Sequence, residues 1–134
     1  MTTRNFWQAG LLLLPLCLAS GTAQAQGPEV TTLAAQDLAA GGRQAALMLM
    51  VEYGPGESEP VHRHDAQAFV YVLEGSVVMQ VKGKPPVTLA PGQTFYEGKD
   101  DVHLVGRNAS RTSRARFVVF LVKEKDAALA VPAK

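Results

Sequence analysis

The feature that most constrains this chain is a rhythm of short apolar runs broken by turn residues, with no helical period between residues 44 and 122. Ala46–Tyr53 (ALMLMVEY) stops at Gly54-Pro55-Gly56, Phe69–Leu73 (FVYVL) at Glu74-Gly75, and Ser76–Lys82 (SVVMQVK) at Gly83-Lys84-Pro85-Pro86. Val87–Leu89, Thr94–Tyr96, Val102–Arg107 and Arg114–Val122 continue the series, with Pro91-Gly92 turning the chain between the first two. Within Ser76–Lys82 the residues Val77, Met79 and Val81 share one face, as period-2 alternation requires. Strands at this spacing predict an all-β sandwich or closed barrel. A chain of 134 residues holds one domain. A sheet this small must close on itself, because open edges pair with other chains. Glu29–Leu33 predicts one further short strand, and the Ala-rich, charged tail Lys123–Lys134 predicts a frayed helix or disorder.

The first 25 residues have a different character. Arg4 supplies a positive start, Ala9–Ala19 (AGLLLLPLCLA) an apolar run too short to span a bilayer, and Ala23-Gln24-Ala25 a small-x-small cleavage site. This order predicts a signal peptide cleaved after Ala25, a single domain over residues 26–134, and a periplasmic or secreted location. Cys17 follows Leu16 rather than a small residue, which argues against a lipoprotein site. An uncleaved anchor is the competing reading, whereas cleavage leaves no membrane attachment. The mature part then has no cysteine, and neither a disulfide nor a thiolate ligand is available to it. Its twelve Lys and Arg balance twelve Asp and Glu, so nucleic acid and anionic membrane are not expected partners. Arg107, Arg111, Arg114 and Arg116 form a local basic run that fits a solvated loop and strand face.

The chain has three histidines. His62 and His64 are two apart at the start of a strand, which puts both imidazoles on one face about 6–7 Å apart at Cα, with Arg63 pointing away. Both can reach one ion at about 2.0–2.1 Å. A third ligand must come from a neighbouring strand, and His103 sits where a later strand begins. Spacing alone also fits an exposed polar strand end.

Gly56, five residues, His62-Arg63-His64 and then Gly75 resemble the first motif of the cupin family, G-x5-H-x-H-x3,4-E-x6-G. Pro91-Gly92, Phe95-Tyr96, His103 and Asn108 resemble the second, P-x-G-x2-H-x3-N, with a longer stretch before His103 and the asparagine one residue late. The resemblance covers Leu47 to about Leu121. It implies a jelly-roll (double-stranded β-helix) barrel with its core over about 44–122. It also implies one divalent transition metal (Fe, Mn, Zn, Cu or Ni) on His62, His64 and His103, a small-molecule ligand or substrate, and a homodimer. Ala68 occupies the position of the family's glutamate ligand. One conclusion is a degenerate, metal-free barrel. The other is a three-histidine site in which the ion keeps its full double charge and favours anionic or enolate-like ligands. Gln67 would offer its amide only if a bulge turned it inward.

Glu97, six residues before His103, could orient an imidazole or act as a base, although exposure statistics for glutamate favour a solvent-facing loop acid. Val70 and Val72 follow Ala68 in phase and should line the interior. Phe69 and Tyr71 then face out, where a second barrel would pack, and Phe95, Phe117 and Phe120 are expected in the core. No Ser-His-Asp set, phosphate loop or nucleotide fingerprint is present. Three readings remain: a metal-dependent enzyme such as a small-molecule dioxygenase, or a hydrolase or isomerase using the ion as a Lewis acid; a metal- or ligand-binding module without turnover; and a structural remnant that has lost its ion.

Overall fold

The computed structural model describes residues 27–39 and 41–134; the expected signal peptide and its expected cleavage after Ala25 lie outside the described residues. Among the described residues ten strands follow in order: β1 Glu29–Asp37, β2 Gln44–Tyr53, β3 His62–Arg63, β4 Ala66–Glu74, β5 Val77–Val81, β6 Val87–Leu89, β7 Thr94–Glu97, β8 Val102–Asn108, β9 Ala115–Glu124 and β10 Val131–Pro132. They form two five-stranded antiparallel sheets, ordered β1-β2-β9-β4-β7 and β10-β3-β8-β5-β6. Neighbours in space are mostly distant in sequence, as a jelly roll requires, and the all-β barrel expected from the strand rhythm is the fold observed.

Alternation decides what fills the space between the sheets. Along β4 the odd and even positions separate cleanly, with Ala66, Ala68, Val70 and Val72 buried while Gln67, Phe69, Tyr71 and Leu73 are exposed. Ala115, Phe117, Val119 and Leu121 of β9 face the same interior and pair in register with β2 and β4. Tyr53, Val77 and Met79 complete the core. Burying an aliphatic or aromatic side chain of this size contributes about 1.5–3 kcal/mol, so this layer supplies most of the hydrophobic stabilisation.

Two glycines are required, one by a turn and one by a close approach. Gly75 ends β4 with φ +70°, and a Cβ there would stand 2.5 Å from the Arg114 carbonyl oxygen, so only glycine fits. Gly106 in β8 has an ordinary φ, but a Cβ on it would fall 2.0 Å from Glu59 Oε1. Its bare face makes room for that carboxyl group.

The structure departs from the sequence expectations in several places. β1 runs four residues past Leu33, because its pairing with β2 continues through Asp37↔Ala45. The tail is neither a helix nor disordered: Val131 and Pro132 pair with Arg63 and His62, and the Ala133 amide donates to the Val61 carbonyl (3.2 Å). Phe117 is buried and Phe95 packs against the core, but Phe120 is 37 % exposed on the outer sheet face. The arginine run is largely solvent-facing, and two of its members, Arg114 and Arg116, pair with Glu52 and Glu74.

Candidate metal centre

His62 and His103 are direct register partners across β3 and β8, which brings two distant stretches of sequence side by side. His64 follows β3 on the same face. The His64 and His103 rings both stand edge-on to His62, at centroid distances of 4.7 and 5.0 Å. His62 and His103 are buried, and the His64 side chain is 13 % exposed.

The backbone fixes the tautomers of two rings. His62 Nδ1–H donates to the Pro60 carbonyl at 2.9 Å, and His64 Nδ1–H donates to the Leu129 carbonyl. A carbonyl only accepts, so each ring leaves a bare lone pair on Nε2. Those two Nε2 atoms face each other at 3.1 Å. Burial lowers the His64 pKa and so disfavours its imidazolium. An acceptor facing an acceptor in a buried site is unfavourable unless a cation lies between them. Nitrogens about 2.1 Å from a common ion, and about 95° apart, stand about 3.1 Å from each other. The residues therefore fit a divalent metal.

Two carboxylates join the histidines. The ligand atoms of His62, His64 and Glu97 all lie within 4.8 Å of one another, as do those of Glu59, His62 and His103. His103 Nδ1 is 3.3 Å from both Glu59 Oε1 and Glu97 Oε2, and Glu97 Oε2 is 3.9 Å from His64 Nε2. Glu97 Oε2 and both His103 ring nitrogens are buried without a hydrogen-bond partner. Orphaned atoms of this kind are rare in a satisfied interior and point to a missing ligand. Burial first, then the Glu59 and Asp101 charges, push Glu97 up to about 8. Burial and then His62 push His103 down to about 4, and burial raises Glu59.

These positions correct two expectations. Glu97 is not a solvent-facing loop acid; it ends β7 with 3 % exposure, pointing inward. Gln67 lies exposed on the outer side of β4, away from the cluster, because no bulge interrupts the alternation there. Glu59 and Glu97 bring two carboxyl groups beside the three imidazoles, in two ligand groups that share His62. Sequence reasoning missed Glu59 altogether. It lies on an extended segment before Pro60, held by its amide to the Gly106 carbonyl (2.9 Å), and its only sequence signal was a carboxylate three residues ahead of His62. Asn108 serves the frame. Buried at 3 % exposure, it donates through Nδ2 to the carbonyls of Gly54 (2.9 Å) and Ser113 (2.8 Å).

The cluster opens on a cavity of about 360 Å³ whose far wall is apolar, formed by Leu49, Val70, Met79, Phe117 and Leu121. Leu129 and Pro132 of the C-terminal segment line it as well. Among the described residues that line it, none is Lys or Arg.

Comparison with known proteins agrees with this architecture. A protein from Klebsiella pneumoniae with a double-stranded beta-helix domain is 17% identical, with a TM-score of 0.64 over 83% of this chain and 89% of that one. The DMSP lyase DddQ from Ruegeria pomeroyi is 20% identical, with a TM-score of 0.57 over 66% of this chain and 43% of the lyase. A recombinant oxalate oxidase in complex with glycolate is 20% identical, with a TM-score of 0.61 over 85% of this chain and 59% of the oxidase. At these identities the likeness is one of fold, and the chain spans less than half the length of the lyase. No curated protein matches the chain. The family described as Cupin domain matches residues 49–121, more than half of the chain, from within β2 to within β9, and the chain belongs to the cupin family.

Proposed function

We propose that this cupin binds one divalent transition metal through His62, His64 and His103 and converts a small, largely apolar molecule inside its barrel, with dioxygen-dependent oxidation as the reaction class. The observation that carries the reading is the pair of Nε2 acceptors facing each other at 3.1 Å, each with its Nδ1–H committed to a backbone carbonyl. A bound ion would supply Lewis acidity and, if redox-active, one-electron chemistry with dioxygen. The apolar wall would hold the substrate's carbon skeleton and exclude water. Glu59 Oε1, beside His103 and with its side chain 21 % exposed, is the group best suited to accept a proton from a bound substrate. Barrels of this fold include proteins named as a lyase and an oxidase of small molecules, which supports turnover as well as binding.

The test begins with metal analysis of the purified protein. Oxygen consumption is then followed against diketones, thiols, phenols and small organic acids. One metal per chain with turnover on one of these classes is the expected result. One metal per chain with no turnover on any of them transfers the protein to the second reading, a binding module that holds metal or ligand unchanged. Loss of the ion in His62→Ala is expected, and full retention removes the site assignment.

Two further proposals concern the protein's setting. The leader reading implies a mature domain working in the periplasm or outside the cell, which N-terminal sequencing of protein recovered from that compartment checks. The outer face of the β1-β2-β9-β4-β7 sheet exposes Phe69, Tyr71, Tyr96 and Phe120, with the Phe69 and Tyr96 rings 5.0 Å apart. An aromatic patch of this kind supports pairing with a second copy of the chain. Sedimentation should find a homodimer that Phe69→Ser with Tyr96→Ser converts to monomer.

A further inference from the structure

Ala68 and Glu97 are direct partners in the β4–β7 ladder, and both side chains face the interior, at 0% and 3% exposure. Side chains opposite one another across an antiparallel pair start only about 4.5–5.5 Å apart at Cβ. The short methyl group at 68 brings no donor atom to the site, whereas the Glu97 carboxyl group opposite it lines the same cavity as the histidines. Its Oε2 lies 3.3 Å from His103 Nδ1 and 3.9 Å from His64 Nε2, yet it has no hydrogen-bond partner. A buried carboxylate oxygen aimed at imidazole nitrogens, with nothing to bond to, costs the fold stability unless something positive completes it.

We propose that Glu97 is a fourth protein ligand of the same ion, a carboxylate delivered from β7, directly across the ladder from Ala68 on β4. This rests on the reading that His62, His64 and His103 hold a divalent cation. Glu59 groups with His62 and His103 but not with His64, its side chain is 21 % exposed against 4 % for Glu97, and it belongs to a loop segment rather than a strand, so Glu97 is the better placed of the two. Glu97 is within 4.8 Å of the ligand atoms of both His62 and His64, the pair whose lone pairs converge. One carboxylate on a divalent ion leaves the centre with a single net positive charge, so the site would discriminate less strongly for anions than three imidazoles alone.

The register supplies the test, because the carboxylate can be moved back across the ladder. Co²⁺ binding to the full-length protein is measured by calorimetry and visible absorption in wild type, Glu97→Gln, His62→Ala and the exchange Ala68→Glu with Glu97→Ala. Glu97→Gln should weaken Co²⁺ binding by about tenfold or more and alter the absorption bands. The exchanged protein should recover binding to within about threefold of wild type. Should Glu97→Gln bind Co²⁺ with unchanged affinity and bands while His62→Ala binds none, the fourth-ligand assignment is overturned and the histidine site stands. Absence of Co²⁺ binding to wild type overturns both. Since Gln is isosteric and uncharged, that variant keeps the question open to measurement even if the exchanged protein does not fold.

Discussion

Without metal, the buried acid and the buried base make opposite demands on pH, and their balance can be worked out. Glu97 sits at about 8 in the folded chain against an ordinary 4.5. A group raised on folding holds a proton that the unfolded chain has lost, so its contribution is complete below about 4.5 and is lost as pH rises toward about 8. His103 sits at about 4 against 6.5, so it costs stability as pH falls from 6.5 toward 4. Between about 4.5 and 6.5 the two slopes oppose each other and stability should be nearly flat. Above 6.5 only the Glu97 slope remains; Glu59, also raised by burial, pulls in the same direction as Glu97. At about 1.4 kcal/mol per pH unit, the loss between 6.5 and 8 is about 2 kcal/mol, or about 10 °C in Tm for a domain near 100 residues. Melting curves recorded in chelator from pH 5 to 8 measure it. Wild type should plateau and then fall, and Glu97→Gln should flatten most of the fall. A wild-type Tm equal at pH 6.5 and 8, or an equally steep fall in Glu97→Gln, refutes the reasoning. In excess Zn²⁺ the trend should reverse, because deprotonated ligands bind the ion more tightly.

Two other consequences follow from the packing around the cluster. Gly106→Ala puts a Cβ into Glu59 and should swing that carboxyl group out to water. The fold should change by no more than about 1 kcal/mol, since alanine suits a strand interior at least as well as glycine, while any activity dependent on Glu59 falls; a melting curve beside an activity measurement separates the two. Removing residues 128–134 takes away the Leu129 carbonyl that fixes the His64 tautomer, together with the β10–β3 pairing. Zn²⁺ affinity should drop by about tenfold or more, which calorimetry on the shortened chain reads directly.

Much of the barrel was legible because its strands alternate or end in glycine and proline, and β4 and β5 lie where the pattern puts them. The histidine cluster was legible for the same reason: a two-residue spacing fixes a shared face, and one partner strand supplies the third ring. What could not be read is register. Nothing in the segment around Ala68 says that Glu97 lies opposite it, since that pairing depends on how two strands more than twenty residues apart slide past each other. Glu59 was hidden for a related reason, as an extended segment outside any ladder carries no period from which to assign a face. Phe120 misled because β9 (ARFVVFLVKE) is almost uniformly apolar from Phe117 to Val122, and such a run does not declare its inward phase. The tail's two-residue strand is too short to leave a signal, yet it positions the carbonyl on which His64 depends.

The central claim is that a single cation belongs between His62 and His64. Anomalous diffraction from a crystal grown with Zn²⁺ or Co²⁺ addresses it most directly. One strong peak about 2.0–2.2 Å from both Nε2 atoms is the expected result. Peaks only at surface carboxylates, or an ordered water where the ion should be, would contradict it.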